Sequence, residues 1–178
     1  MKQEDTLPYN LNEIKQHASD NTELGAVTHM YPLDLTKAHQ LLNNALATEI
    51  MCVLRYRHHQ VIAQGIDFPQ VTAEFAEHGD DEARHMMMIA ERIAQLGGDP
   101  DFNPATITQR TATEYGAGTD LLKLIEENLV AERIAIMIYR EMIEWFGTGD
   151  PTTRRMLEEI LKDEEDHAND LADLMKHE

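Results

Sequence analysis

Residues 75 to 89 read Phe75-Ala76-Glu77-His78-Gly79-Asp80-Asp81-Glu82-Ala83-Arg84-His85-Met86-Met87-Met88-Ile89. Glu82 lies seven residues after Phe75 and seven before Ile89, so on a helix of 3.6 residues per turn it shares their face, and His85 follows one turn later. A carboxylate and an imidazole therefore occupy a stripe that periodicity reserves for core side chains.

The same intrusion recurs three times. Glu164 and His167 sit between Leu157 and Leu171, Glu49 is seven from both Leu42 and Tyr56, and Glu132 is seven from both Ile125 and Tyr139. With 9 His and 19 Glu in 178 residues, chance alone gives about one Glu-x-x-His pair, so the pair count carries little weight. Register discriminates better: Glu49 to Glu132 is 83 residues, while Glu82 to Glu164 and His85 to His167 are each 82. Leu46-x-x-Glu49-x6-Tyr56 repeats as Leu129-x-x-Glu132-x6-Tyr139, and Asp81-Glu82-x-x-His85 repeats as Asp163-Glu164-x-x-His167. The chain reads as a concealed duplication.

Punctuation around these stretches sets the architecture. Asp34 is a cap for a helix carrying Leu35, Ala38, Leu42, Ala45, Cys52, Tyr56 and Ala63, with Gly65 at its end. After the turn Gly65-Ile66-Asp67-Phe68, Pro69 opens a helix on Val71, Phe75, Ile89, Ile93 and Leu96, stopped by Gly97-Gly98. A third helix is expected from about Thr119 to Phe146 on Leu122, Ile125, Leu129, Ile136, Tyr139 and Ile143. Asp150-Pro151 then starts a fourth, on Leu157, Ile160, Leu161, Leu171 and Leu174. Each is roughly 40 Å long. Residues 98–118 link the second to the third, a length that calls for a crossover. The expectation is all-α: a four-helix bundle of two antiparallel hairpins over residues 33–178, preceded by a largely irregular extension over 1–32 with at most one short helix near Asn10 to Ala18.

The chain has 33 Asp+Glu against 15 Lys+Arg, a formal charge of −18, with basic residues interleaved among acids. No basic stripe exists for a phosphate backbone, so nucleic acid is not an expected partner and cations are. The single cysteine, Cys52, forms no internal disulfide. Without a signal-like segment or a run of 18 apolar residues, the expectation is a cytoplasmic protein with no membrane partner.

Four carboxylates inside a bundle would each cost several kcal/mol to desolvate, and mutual repulsion would raise their pKa values. Two divalent cations bring four positive charges against the four negative ones. A mixed carboxylate and imidazole set suits iron or manganese, and one Glu from each of two helices with Glu-x-x-His from the other two is the arrangement of di-iron and di-manganese carboxylate sites. Two ions about 3.5 to 4 Å apart are expected, held by Glu49, Glu82, His85, Glu132, Glu164 and His167. Tyr56 and Tyr139 fall close enough to supply an electron or a hydrogen bond. Cys52 reads as a small core residue, His58-His59 as partly surface or at a subunit contact, and the run Asp163-Glu164-Glu165-Asp166 as a solvated face with only Glu164 inward.

Over roughly residues 34 to 175 these motifs resemble the bacterioferritin branch of the ferritin-like superfamily. The resemblance implies that Glu49 and His85 are terminal ligands of one iron, Glu132 and His167 those of the other, and that Glu82 and Glu164 bridge both, with Tyr56 beside the site. It implies a ferroxidase that oxidises Fe(II) with O2 or H2O2 and passes Fe(III) into a protein cage, with two Fe ions per subunit and Mn or Zn as alternatives. Bacterioferritins place a haem-ligating methionine where this chain has Ala83, so haem is not expected. The end of the chain 11 residues after His167 is similar to the twelve-subunit Dps and Dps-like cages, which makes twelve subunits the expectation and 24 the alternative. Two other readings are a peroxide-consuming protein of the rubrerythrin or manganese-catalase kind, for which rubredoxin-type Cys-x-x-Cys pairs are absent, and a Dps-type DNA-protecting cage, which the charge opposes.

Overall fold

A computed structural model describes residues 8–20, 22–64, 69–118 and 120–176. These form α1 (Leu11–His17), a 3-10 turn (Thr22–Leu24), α2 (Leu35–Gln64), α3 (Pro69–Gln95), α4 (Pro104–Arg110), α5 (Leu121–Phe146) and α6 (Pro151–Leu174). The Gly65–Phe68 turn and Thr119 lie outside the described residues. No described helix is long and apolar enough to cross a membrane.

Caps set the helix limits. Asp34 Oδ1 accepts from the amides of Thr36 and Lys37 at 2.8 and 3.2 Å, and Asp120 and Asp150 cap α5 and α6 through the amides of Lys123 and Thr153. After α3 the chain turns through Gly97 at φ 75°, where a side chain would be strained, and the Gly98 amide bonds back to the Ile93 carbonyl at 2.9 Å.

Contacts give the directions. His39 reaches the Leu96 carbonyl and Tyr56 meets Phe75, so α2 and α3 are antiparallel. Tyr56 pairs with Glu132 and Tyr139 with Glu49, which makes α2 and α5 antiparallel as well. Asp81 faces His167 while His85 faces Asp163, giving the same relation for α3 and α6. Two antiparallel hairpins thus close a four-helix bundle, and the α3–α5 connection must run its length.

That connection contains α4, which the sequence reading passed over. Asn103-Pro104 caps and starts it just as Asp150-Pro151 starts α6. Arg110 then ties it to α2 by donating to the Asn43 carbonyl at 2.6 Å.

Two apolar clusters fill the bundle. One contains Leu42, Leu46, Ile89, Phe146 and Leu157, the other Phe75, Leu121, Leu124, Ile125 and Leu171. Each such side chain contributes about 1.5 to 3 kcal/mol by leaving water. The buried phase of α5 runs through Leu121, Leu124, Ile125, Asn128, Ala131, Glu132, Ala135 and Tyr139, whereas Leu122 is exposed and Leu129, Ile136 and Ile143 only flank it. That corrects the outer members of the expected stripe, because Leu and Ile occur on both sides of this helix and the pattern does not distinguish adjacent positions. Between the apolar clusters lies a layer of polar side chains, the candidate site.

Candidate metal centre

All six predicted ligands are in the core, with Glu82, His85 and Glu132 wholly buried and His167 the most open at 4%. Each reaches the layer for the reason its spacing indicates: it replaces an apolar residue on its helix's inward face. Ligand atoms of Glu49, Glu82, His85 and Glu164 lie within 4.8 Å of one another, as do those of Glu82, Glu132, Glu164 and His167. The two groups share Glu82 and Glu164. His85 Nδ1 stands 3.1 Å from Glu164 Oε1 and 3.7 Å from both Glu49 Oε2 and Glu82 Oε2, and His167 Nδ1 stands 4.0 Å from Glu132 Oε2.

The inward atoms of this set have no hydrogen-bond partner among the described residues: Oε2 of Glu49 and Glu132, both oxygens of Glu82 and Glu164, and Nδ1 of both histidines. Orphaned buried polar atoms are costly and rare. Eight converging at one place form a cluster able to hold metal ions, and the donor set of four carboxylates and two imidazoles fits iron or manganese.

The electrostatics agree. Burial, then the neighbouring carboxylates, push Glu82 and Glu164 well above the usual carboxylate range. Burial works against charge at His85 and Glu49 too, but there it is outweighed: Glu49 and Glu82 push His85 up to about 11, and His85 together with Glu82 and Tyr139 draws Glu49 down. Without metal the layer therefore holds protons where cations would bring positive charge.

Around the inward atoms is a second set of contacts, crossed between the halves of the duplication. Asp163, preceding Glu164, faces Nε2 of His85 at 3.2 Å, and Asp81, preceding Glu82, faces Nε2 of His167 at 3.4 Å. Each Asp-Glu-x-x-His motif orients the other's imidazole, leaving Nδ1 aimed inward. Asp163 accordingly sits well below the ordinary range, at about 2, where the pull of Arg84, His85 and Lys162 exceeds the effect of its burial. This corrects the reading of the 163–166 run, since Asp163 as well as Glu164 is engaged.

Tyr56, predicted beside the site, donates to Glu132 Oε1, and Tyr139 donates to Glu49 Oε1. Sequence reasoning missed His78, whose Nδ1 is 3.2 Å from the Tyr56 hydroxyl and whose ring stacks on His167 with centroids 4.0 Å apart. Its signal was available, seven residues before His85. His59, expected partly at the surface, is fully buried: its Nδ1 meets the Asn128 amide at 2.9 Å, and burial with the nearby Arg55 holds it down at about 4. Arg55 is buried as well, donating to Asn128, to the Glu114 carbonyl and to Cys52 Sγ, so Cys52 is a core residue as expected. The crossover covers both side chains, which helical periodicity does not foresee.

The family model for a ferritin-like domain matches residues 39–177. Among solved structures, the dodecameric thioferritin described as a bacterioferritin-related protein of Bacteroides fragilis is similar at 31% identity and a TM-score of 0.78, over 82% of this chain and 88% of that one. Among curated proteins, a nutrient stress-induced DNA-binding protein of Synechococcus sp. is 29% identical over 74% of this chain and 76% of its own. A bacterioferritin of Desulfovibrio desulfuricans is 26% identical over 74% and 70%.

Proposed function

This chain belongs to the ferritin-like domain family, in its bacterioferritin and Dps branch, and on that premise we propose that it is a ferroxidase that also stores iron. The eight orphaned, converging donor atoms of the buried layer carry this reading. Fe(II) is the substrate and is taken up in pairs. Glu49 and His85 hold one ion, Glu132 and His167 the other, and Glu82 and Glu164 lie between the groups so that each reaches both.

Two ferrous ions each give up one electron, and the electron pair with two protons converts O2 to H2O2 or H2O2 to two waters. The residues prepare this in three ways. Asp81 and Asp163 hold the imidazoles with Nδ1 inward. Tyr56 and Tyr139 occupy one oxygen of Glu132 and Glu49, leaving the other for metal. Glu82 and Glu164, protonated in the empty site, lose those protons as cations arrive and restore the charge balance. The apolar clusters on either side bury the carboxylates, which strengthens each of these interactions.

Ferric product is insoluble, and enclosure gives it a place to accumulate. The similarity to a dodecameric bacterioferritin-related protein supports a homo-oligomeric cage of twelve. Acids lining such a shell attract ferrous ions. The DNA-binding name of the Synechococcus relative favours a second reading, a DNA-protecting cage. A charge of −18 opposes it, and a gel shift at low salt separates the two.

Stopped-flow measurement of ferrous oxidation tests the main reading. The unmodified protein should show a fast phase saturating at about two Fe(II) per subunit. Glu132→Ala should abolish that phase, and unaltered kinetics in this variant would refute the site.

A further inference from the structure

Above His167, between α3 and α6, a recess of about 380 Å³ opens to solvent, lined by Glu74, Glu77, His78, Asp166 and Asp170 among others. Ligand atoms of Glu74, His78 and Asp170 lie within 4.8 Å of one another, with His78 Nε2 3.8 Å from Asp170 Oδ2. None of the three belongs to the six-residue set below.

The polarity of one hydrogen-bond chain shows what this trio takes. Tyr56 gives its proton to Glu132, so its oxygen is left to accept, and the group facing it at 3.2 Å is Nδ1 of His78. A neutral His78 must then carry its proton on Nδ1 and present the bare lone pair of Nε2 to the recess. That imidazole is only 2% exposed, and its Nε2 makes no hydrogen bond with the described residues, since Asp170 is beyond reach. Two carboxylates and an imidazole lone pair therefore converge on the recess.

We propose that Glu74, His78 and Asp170 bind a third divalent transition-metal ion at the mouth of the bundle. One imidazole and two carboxylates, with open positions for water, suit Fe(II), Zn(II) or Co(II) better than calcium. Glu74 and His78 are one turn apart on α3 and Asp170 is one turn beyond His167 on α6, so the site is a step on the same ladder that leads to the pair. Glu77 and Asp166 at its rim concentrate cations from solvent. The site stands independently of the oxidase reading, but its use as a staging point for Fe(II) rests on that reading.

Anomalous scattering from crystals of the full chain soaked in Zn(II), compared with a Glu74→Gln/Asp170→Asn double variant, tests the site. The expected result is a peak among the three side chains, lost in the variant while peaks at Glu82 and Glu164 persist. Filled core positions with no third peak, or a third peak unmoved by the double substitution, would overturn the third site and leave the oxidase reading standing. A third peak above empty core positions would support it and count against the oxidase reading. For staging, the double variant should oxidise Fe(II) about tenfold more slowly with the same two-per-subunit amplitude, in line with the cost of removing support from a metal site. An unchanged rate overturns the staging role.

Discussion

The hydroxyl of Tyr139 on α5 donates to Oε1 of Glu49 on α2, and the reciprocal bond runs from Tyr56 on α2 to Glu132 on α5. Both phenols are held well above their ordinary range, first by burial and then by these carboxylates, so both remain donors. In metal-free protein Tyr139→Phe leaves Glu49 Oε1 without its donor and should cost about 1 to 3 kcal/mol in denaturant unfolding. Tyr56→Phe should cost more, since it also strands His78. Equal losses for the two would show that His78 adds nothing to the pairing.

Metal-free protein should have a definite pH signature. Glu164 has a folded pKa raised above its unfolded one, so its contribution is fully present below about pH 4.5 and is lost as the pH rises. At pH 7 keeping it protonated costs about 3 kcal/mol, falling to about 1 or less at pH 5. Glu164→Gln should therefore stabilise metal-free protein near neutrality by up to that amount, with the gain shrinking on acidification. Metal loading of the unmodified protein should release about three protons, from Glu82, Glu164 and His85. Thermal unfolding against pH checks the first expectation and proton-indicator titration the second; a gain independent of pH would contradict a protonated Glu164.

The six core residues were legible because each of the four glutamates interrupts a seven-residue spacing of core side chains, with each histidine one turn after its glutamate, and a spacing of seven survives any error in helix limits. What crosses the bundle was not. That Tyr56 bonds Glu132 and not Glu49, its neighbour on the same helix, depends on antiparallel pairing of α2 with α5, which no single helix encodes. The exchange of Asp81 and Asp163 between halves has the same cause. His59 and Arg55 were misread or passed over because residues 98–118 cover them, and a chain's own connection is invisible to periodicity. His78 was legible in principle, yet a histidine among Glu77, Asp80 and Asp81 looks like surface until helix packing shows it stacked on His167.

Away from the metal layer, Asp150 caps α6 and accepts from Arg92 at 2.9 and 3.0 Å and from Tyr31 at 3.0 Å. Burial raises its pKa, but the hydrogen bonds from Thr153 and Arg92 prevail and lower it. A depressed folded pKa means stability that is present above the unfolded value and is lost as the pH falls through the folded one. Asp150→Asn should remove the part of acid unfolding that sets in below about pH 4. Asp150→Ala should cost about 3 to 5 kcal/mol at pH 7, because it leaves Arg92 buried and unpaired. A loss under about 1 kcal/mol, the level of an exposed pair, would contradict this account.

The outer faces of α2 and α5 carry exposed apolar side chains. Leu54 and Val61, seven apart on α2, are 51% and 70% exposed, and Val130 and Met137, seven apart on α5, are 52% and 60% exposed. Apolar residues at that spacing make a stripe on each helix, and beside Met137 a groove of about 500 Å³ is lined by Leu41, Ile138 and Trp145. Such surface is covered in a stable homo-oligomer. Twelve copies of 20.3 kDa make about 240 kDa, the mass that light scattering at physiological salt should return. Val61→Asp with Met137→Asp should shift the population to smaller species while preserving the two-ion fast phase, because neither residue touches the metal layer. A 20.3 kDa species from the unmodified protein would sink the storage reading and leave the oxidase chemistry intact.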